Sequence, residues 1–190
     1  MDVKIKFRTA TAFVAAFTLA GVAFSQPGSG LNVGDRISSF HPQHVTGQLK
    51  GTDTCPPCVN GDRPQAIVFV NGDSRANIVA LARALDGAMQ THARRQFRGY
   101  LVVISDAANM DRNRQMLNNI AREHNLQRVG LALLDRSSDT IEDYRLNLSP
   151  NVRNTVFVYH RWEVKAKFVN LDGNRAGTNR LMATIHRIAA

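Results

Sequence analysis

The sequence predicts an α/β fold in which a mixed central sheet is covered by helices on both faces and preceded by an N-terminal hairpin extension. Three observations carry this. Continuous apolar, β-branched runs (AIVFV at 66–70, GYLVVIS at 99–105, VGLALL at 129–134) alternate with stretches of helical periodicity, the pattern of parallel strands joined by crossover helices. The last third changes rhythm to NTVFVYH and EVKAKFV, two runs separated by a tight turn and therefore antiparallel. A chain of 190 residues with 44% hydrophobic content is one domain by length and buries a core without needing disulfides.

Residues 1–25 place Lys4, Lys6 and Arg8 ahead of an apolar stretch over 12–24 and end in small residues, with Ala23 and Ser25 at the positions a signal peptidase reads. The apolar run is shorter than the roughly 20 residues a bilayer core requires. A cleaved signal peptide is expected over 1–25, a mature domain over 26–190, and a periplasmic or secreted location without a membrane span.

The segments LNVGDRISSF and HPQHVTGQLKG read as a short hairpin. Pro64 then opens QAIVFV, a run apolar at every second position on both faces and so a central strand. After NGD, with Asp73 or Ser74 as N-cap, residues Ile78, Leu81, Ala82, Leu85 and Met89 recur at helical spacing. GYLVVISD gives a second buried strand, 109–126 a helix with Met116, Leu117, Ile120 and His124 on its inner side, and VGLALLD a third strand. A short helix is expected over 140–146. The closing hairpin turns at 160–163, its second strand setting Val164, Ala166 and Phe168 on one face and Lys165, Lys167 and Val169 on the other. A helix over 174–188 with Leu181, Ile185 and Ile188 inside ends the chain.

The formal charge is +9, and +7 without the leader. The arginines are scattered rather than clustered with aromatics, no nucleic-acid motif is present, and the charge reads as solvated helix faces.

The VGD of Val33, Gly34 and Asp35 with Phe40 behind it, the buried strand AIVFV, the LLD at 133–135 with Tyr144 downstream, and TVFVYHRWEV occur in an order that resembles the thioredoxin-like superfamily. The likeness covers about 31–188 and is to the branch of peroxiredoxins and exported thioredoxin-like proteins, those related to alkyl hydroperoxide reductase and thiol-specific antioxidant. It implies a thioredoxin-like three-layer sandwich. It also implies a reactive cysteine just after the first central strand, where helix N-terminal amides stabilise a thiolate. Here that position reads NGDSRANI and holds no cysteine. Neither the peroxiredoxin threonine-cysteine pattern nor the cis-proline that usually faces the cysteines is present, for Val152, Arg153, Asn154 and Thr155 stand in that loop. The chain therefore resembles an atypical member with a displaced CxxC, and the family's usual pole is expected to be chemically silent.

Both cysteines, Cys55 and Cys58, lie ahead of the strand rather than after it, in GTDTCPPCVNGDRP. Three readings stay open. The pair is a structural disulfide pinning the excursion, a redox dithiol whose stiff CPPC sets its potential, or, with the HxxH of His41 and His44, a Cys2His2 site for zinc or copper. A haem attachment is excluded by Val59 in place of histidine. His41 and His44 read as a loop pair, and Asp73, Asp106 and Asp135 as caps and turn formers. The reading adopted is an exported thioredoxin-like protein exchanging thiols and disulfides through Cys55 and Cys58, with Cys55 attacking and Cys58 resolving. Its expected partner is a protein thiol or disulfide, and no metal or cofactor is expected. The alternative is a non-enzymatic binding or scaffold module in which the pair is a staple.

Overall fold

The computed structural model describes Met1 and residues 28–190; Met1 apart, the expected signal peptide lies outside the described residues. Strands β1 (Gln43–His44), β2 (Gln65–Val70), β3 (Arg98–Ser105), β4 (Gly130–Asp135), β5 (Asn154–His160) and β6 (Glu163–Val169) form one sheet in the order β1-β4-β3-β2-β5-β6. The helices are α1 (Pro56–Asn60), α2 (Arg75–Thr91), α3 (Met110–Glu123), α4 (Thr140–Asp143) and α5 (Arg175–Ala189). Strands β2, β3 and β4 run parallel, while β5 lies antiparallel to β2, β6 to β5 and β1 to β4.

Strand β2 is central because both its faces are apolar. Ala66, Val68 and Val70 enter one core and Ile67 and Phe69 the other, all essentially without solvent contact. The two faces are covered unequally. Ile78, Leu81 and Leu85 of α2, Leu117 and Ile120 of α3, and Leu181 and Ile185 of α5 all pack on the first. Each such side chain contributes about 1.5–3 kcal/mol by leaving water. The opposite face is closed by Leu31, Ile37 and Phe40 of the N-terminal segment and by Tyr144 beside the short α4, with Ile141 packed alongside. There Phe40, Phe69, Tyr144 and Phe157 meet with ring centroids 5.2–6.2 Å apart, and the Tyr144 hydroxyl donates to Ser38 O at 2.5 Å.

Two local expectations are corrected. LNVGDRISSF and HPQHVTGQLKG do not pair with each other as a hairpin. The first lies along β6, where Arg36 bridges Glu163 and Ile37 N–H donates to Trp162 O, and the second supplies β1 beside β4. The N-terminal segment thus covers both sheet edges, which would otherwise present unpaired backbone groups. In β6, Val164 faces the aromatic core whereas Ala166 and Phe168 face the helices. A bulge is the reason: the register shifts at Val158/Tyr159, so that Tyr159 opposes Val164 and Val158 opposes Ala166, and the extra residue Lys165 breaks the alternation.

Candidate active site

The cysteine pair sits on a short helical excursion immediately ahead of β2. Cys55 is the N-cap of α1, and Pro56 and Pro57 occupy its first positions, where a fixed φ suits the helix and a missing N–H costs nothing. Cys58, one turn on, donates its N–H to Cys55 Sγ at 3.2 Å, and the two sulfurs are joined in a disulfide with Cα atoms 5.3 Å apart. Gly61 ends the helix in the left-handed region (φ 55°), its N–H donating to Pro57 O at 2.8 Å. The two cysteines differ in access: Cys55 is only 4% exposed, whereas Cys58 is exposed and its neighbour Val59 is 47% exposed.

Buried polar groups hold this excursion from below. The Asn60 amide donates to Pro56 O (2.7 Å), Gln65 Oε1 (3.1 Å) and the Tyr100 hydroxyl (2.8 Å), and Tyr159 donates to the same Gln65 oxygen at 2.9 Å. Gln65 opens β2 and is opposite Arg98 of β3, so α1 is fixed to the N-terminal end of the central strands. Burial pushes the phenols of Tyr100 and Tyr159 upward in pKa, so both remain neutral hydrogen-bonding groups.

The two histidines of the HxxH act on the strand of chain leading to Cys55. His41 Nδ1 lies 3.1 Å from Asp53 O, and His44 Nε2 lies 2.9 Å from Thr54 O. With carbonyl oxygen as its partner, His44 Nε2 carries the proton. Its buried Nδ1 has no partner, and its ring meets Tyr100 edge-on at 5.9 Å. Burial lowers the His44 pKa, against the smaller opposing pull of the Thr54 carbonyl and Asp53. Among the described residues no group of three or more histidines, cysteines and acids is arranged to hold a metal ion.

At the other end of β2 the polar side chains are engaged with one another. Asp73, whose side chain has no solvent exposure, accepts from Ser74 N–H (2.8 Å), Asn77 Nδ2 (2.5 Å) and Asn154 Nδ2 (2.5 Å), with Arg153 at 3.8 Å. Asn154 also grips Leu171, donating to its carbonyl at 3.0 Å and accepting its N–H at 2.9 Å. Asn77 accepts from Gly173 N–H, and Arg153 pairs with Asp172 at 2.8 Å. Ser74, not Asp73, caps α2. Of the other two aspartates that follow strands, Asp106 pairs with Arg136 at 2.9 Å and Asp135 closes a turn onto Ser137. No cis peptide bond occurs among the described residues.

Sequence reasoning identified the cysteines and the flanking histidines but missed Asn60, Gln65, Tyr100 and Tyr159. A glutamine at the head of an otherwise apolar central strand was the available signal, since a buried amide there needs partners.

No family description and no curated protein matches the chain. Solved structures do. A candidate thiol:disulfide interchange protein DsbE from Chlorobium tepidum superimposes with TM-score 0.65 at 14% identity, covering 84% of this chain and 99% of that one. The thioredoxin domain of a thiol-disulfide oxidoreductase from Bacteroides vulgatus gives 0.61 at 15%, covering 84% and 99%. The yeast mitochondrial 1-Cys peroxiredoxin gives 0.59 at 12%, covering 83% and 76%. The chain has the thioredoxin-like fold. Within that fold its cysteine pair is a closed disulfide at the N-terminal end of β2.

Proposed function

We propose that the protein is an exported thiol-disulfide exchange protein that works on protein thiols in the periplasm or outside the cell, through Cys55 and Cys58. The observation that carries this reading is a disulfide with one exposed cysteine on an excursion that is anchored without it. Asn60, His41 and His44 already fix the backbone on either side of the pair. A cross-link closing so short a loop adds only about 2 kcal/mol through the unfolded chain. As a staple the pair is nearly redundant; as an exchangeable bond it is well placed. The activities in the names of the structural neighbours agree with this reading, and an oxidising compartment after removal of residues 1–25 would keep the pair closed.

The competing reading is a binding or scaffold module with a structural disulfide, and the burial of Cys55 favours it. The reduction potential of the pair separates the two. Exchange requires a value within about −120 to −270 mV, and a value below about −300 mV identifies a staple. Insulin reduction by the reduced protein is expected to disappear in Cys55→Ser. Activity surviving in the double variant Cys55→Ser/Cys58→Ser would place the chemistry elsewhere in the chain.

A further inference from the structure

The difference in access between the two cysteines bears on how the proposed exchange proceeds. A thiolate displaces one sulfur of a disulfide along the line of the S–S bond, approaching the attacked sulfur from the side away from its partner. Approach to Cys58 comes from solvent, because Cys58 and Val59 are consecutive exposed residues of α1; Pro56, Pro57 and Asn60, on its other side, are buried. Approach to Cys55 has to pass through protein, since that residue is 4% exposed and its flanks are tied down by the His44–Thr54 and Asn60–Pro56 hydrogen bonds.

Resting on the exchange reading, we infer that Cys58 is the sulfur that forms the mixed disulfide with a client, and that Cys55 is the leaving and resolving sulfur. This reverses the order expected from the sequence. In the oxidising direction a client thiolate attacks Cys58 Sγ. A client–Cys58 disulfide forms, the Cys55–Cys58 bond breaks, and its electron pair departs on Cys55 Sγ. The Cys58 N–H that already donates to Cys55 Sγ at 3.2 Å stabilises that charge. A second client thiolate then attacks the client sulfur of the mixed disulfide and releases Cys58. The client dithiol is oxidised by two electrons, the pair is reduced, and the two thiol protons of the client are matched by two on Cys55 and Cys58. In the reducing direction the Cys58 thiolate attacks a client disulfide, and Cys55 attacks Cys58 Sγ to free the reduced client. Cys55, kept from solvent, is protected from forming a mixed disulfide of its own.

The test uses the oxidised wild-type protein and a pulse of reduced glutathione, quenched with acid. The freed thiol is alkylated, and fragment-ion mass spectrometry assigns both groups. Glutathione is expected on Cys58 and the alkyl group on Cys55, by about 10-fold or more over the reverse. Glutathione mainly on Cys55, or divided equally, would overturn the assignment while leaving exchange through the pair intact. No adduct on the folded protein, under conditions that modify a denatured control, would overturn the assignment and the exchange reading together. The single variants give an independent measure. Cys58 in Cys55→Ser should react with an aromatic disulfide reagent about 10-fold faster than Cys55 in Cys58→Ser. Equal rates in variants shown to be folded by circular dichroism would count against the inference.

Discussion

At the C-terminal end of β2, Asp73, Asn77, Asn154 and Arg153 are bound to one another and to the backbone of the segment entering α5. At the N-terminal end, Asn60, Gln65, Tyr100 and Tyr159 are equally interlocked, but they support a helix whose outer turn carries a disulfide with an exposed member. The side chains named at each end are hydrogen-bonded to one another, and among the described residues only the N-terminal set supports a disulfide. The two ends differ in what their polar groups hold: at the C-terminal end they tie strand β5 and the start of α2 to the backbone at Leu171, and at the N-terminal end they tie a disulfide-bearing helix to the central strands. At the C-terminal end, where open sheets collect functional groups, the segment 71–78 holds no cysteine, and its Asn77 and Asp73 side chains are bound to one another and, through Asp73, to Asn154.

The largest effect is expected in the C-terminal network. Asn154 is fully buried, and Asn154→Ala removes one donor to Asp73 and both bonds to Leu171. Leaving such buried groups without partners should lower the unfolding free energy by about 3 kcal/mol, read from the urea midpoint, with the reduction potential of the cysteine pair unchanged. A loss under about 1 kcal/mol would mean the C-terminal pole is not locked as described. A changed potential would mean the two ends are coupled.

A smaller effect is expected at the other end. The double variant Cys55→Ser/Cys58→Ser removes only a short loop closure, and α1 keeps its Asn60 anchors. Its stability should fall by about 2 kcal/mol or less relative to the oxidised protein in the same urea experiment. A loss of about 4 kcal/mol or more would return the pair to the role of a staple.

The difference between the two ends was partly legible in the sequence. QAIVFV gives β2 its bounds because a run apolar on both faces has one stable location, and the missing thiol in NGDSRANI is visible without coordinates. The path of the N-terminal segment was not legible, because its partners, Glu163 and Leu133, lie about a hundred residues away and edge pairing leaves no periodic signal. The bulge at Lys165 was hidden for a related reason, since strict alternation is the default and the register shift depends on the neighbouring strand. The unequal exposure of the two cysteines was the furthest from reach. Burial of Cys55 depends on Asn60 meeting Tyr100, forty residues on, and on His44 meeting Thr54.

The smallest predicted effect concerns that last contact and is a dependence on pH. His44 is buried in its neutral form, donating from Nε2 to Thr54 O, with no acceptor at Nδ1 for a second proton. Its folded pKa is therefore depressed below the unfolded value, chiefly by burial, and Asp53 only partly offsets this. With the folded state binding fewer protons than the unfolded one, this contribution is present above about pH 6.5. It is lost as the pH falls from there through the folded pKa, at no more than about 1.4 kcal/mol per pH unit. His92, whose pKa burial and His186 also lower, gives a slope of the same sign. The variant His44→Gln keeps an amide donor for Thr54 O without titrating, so its stability should fall less steeply between pH 6.5 and 5 than that of the wild type, with His92 and, toward pH 5, the carboxylates of Glu123 and Asp135 contributing to the residual slope. Identical slopes for the two proteins would show that protonation of His44 is not opposed by its surroundings, and that the chain leading into Cys55 is held by something other than a neutral imidazole.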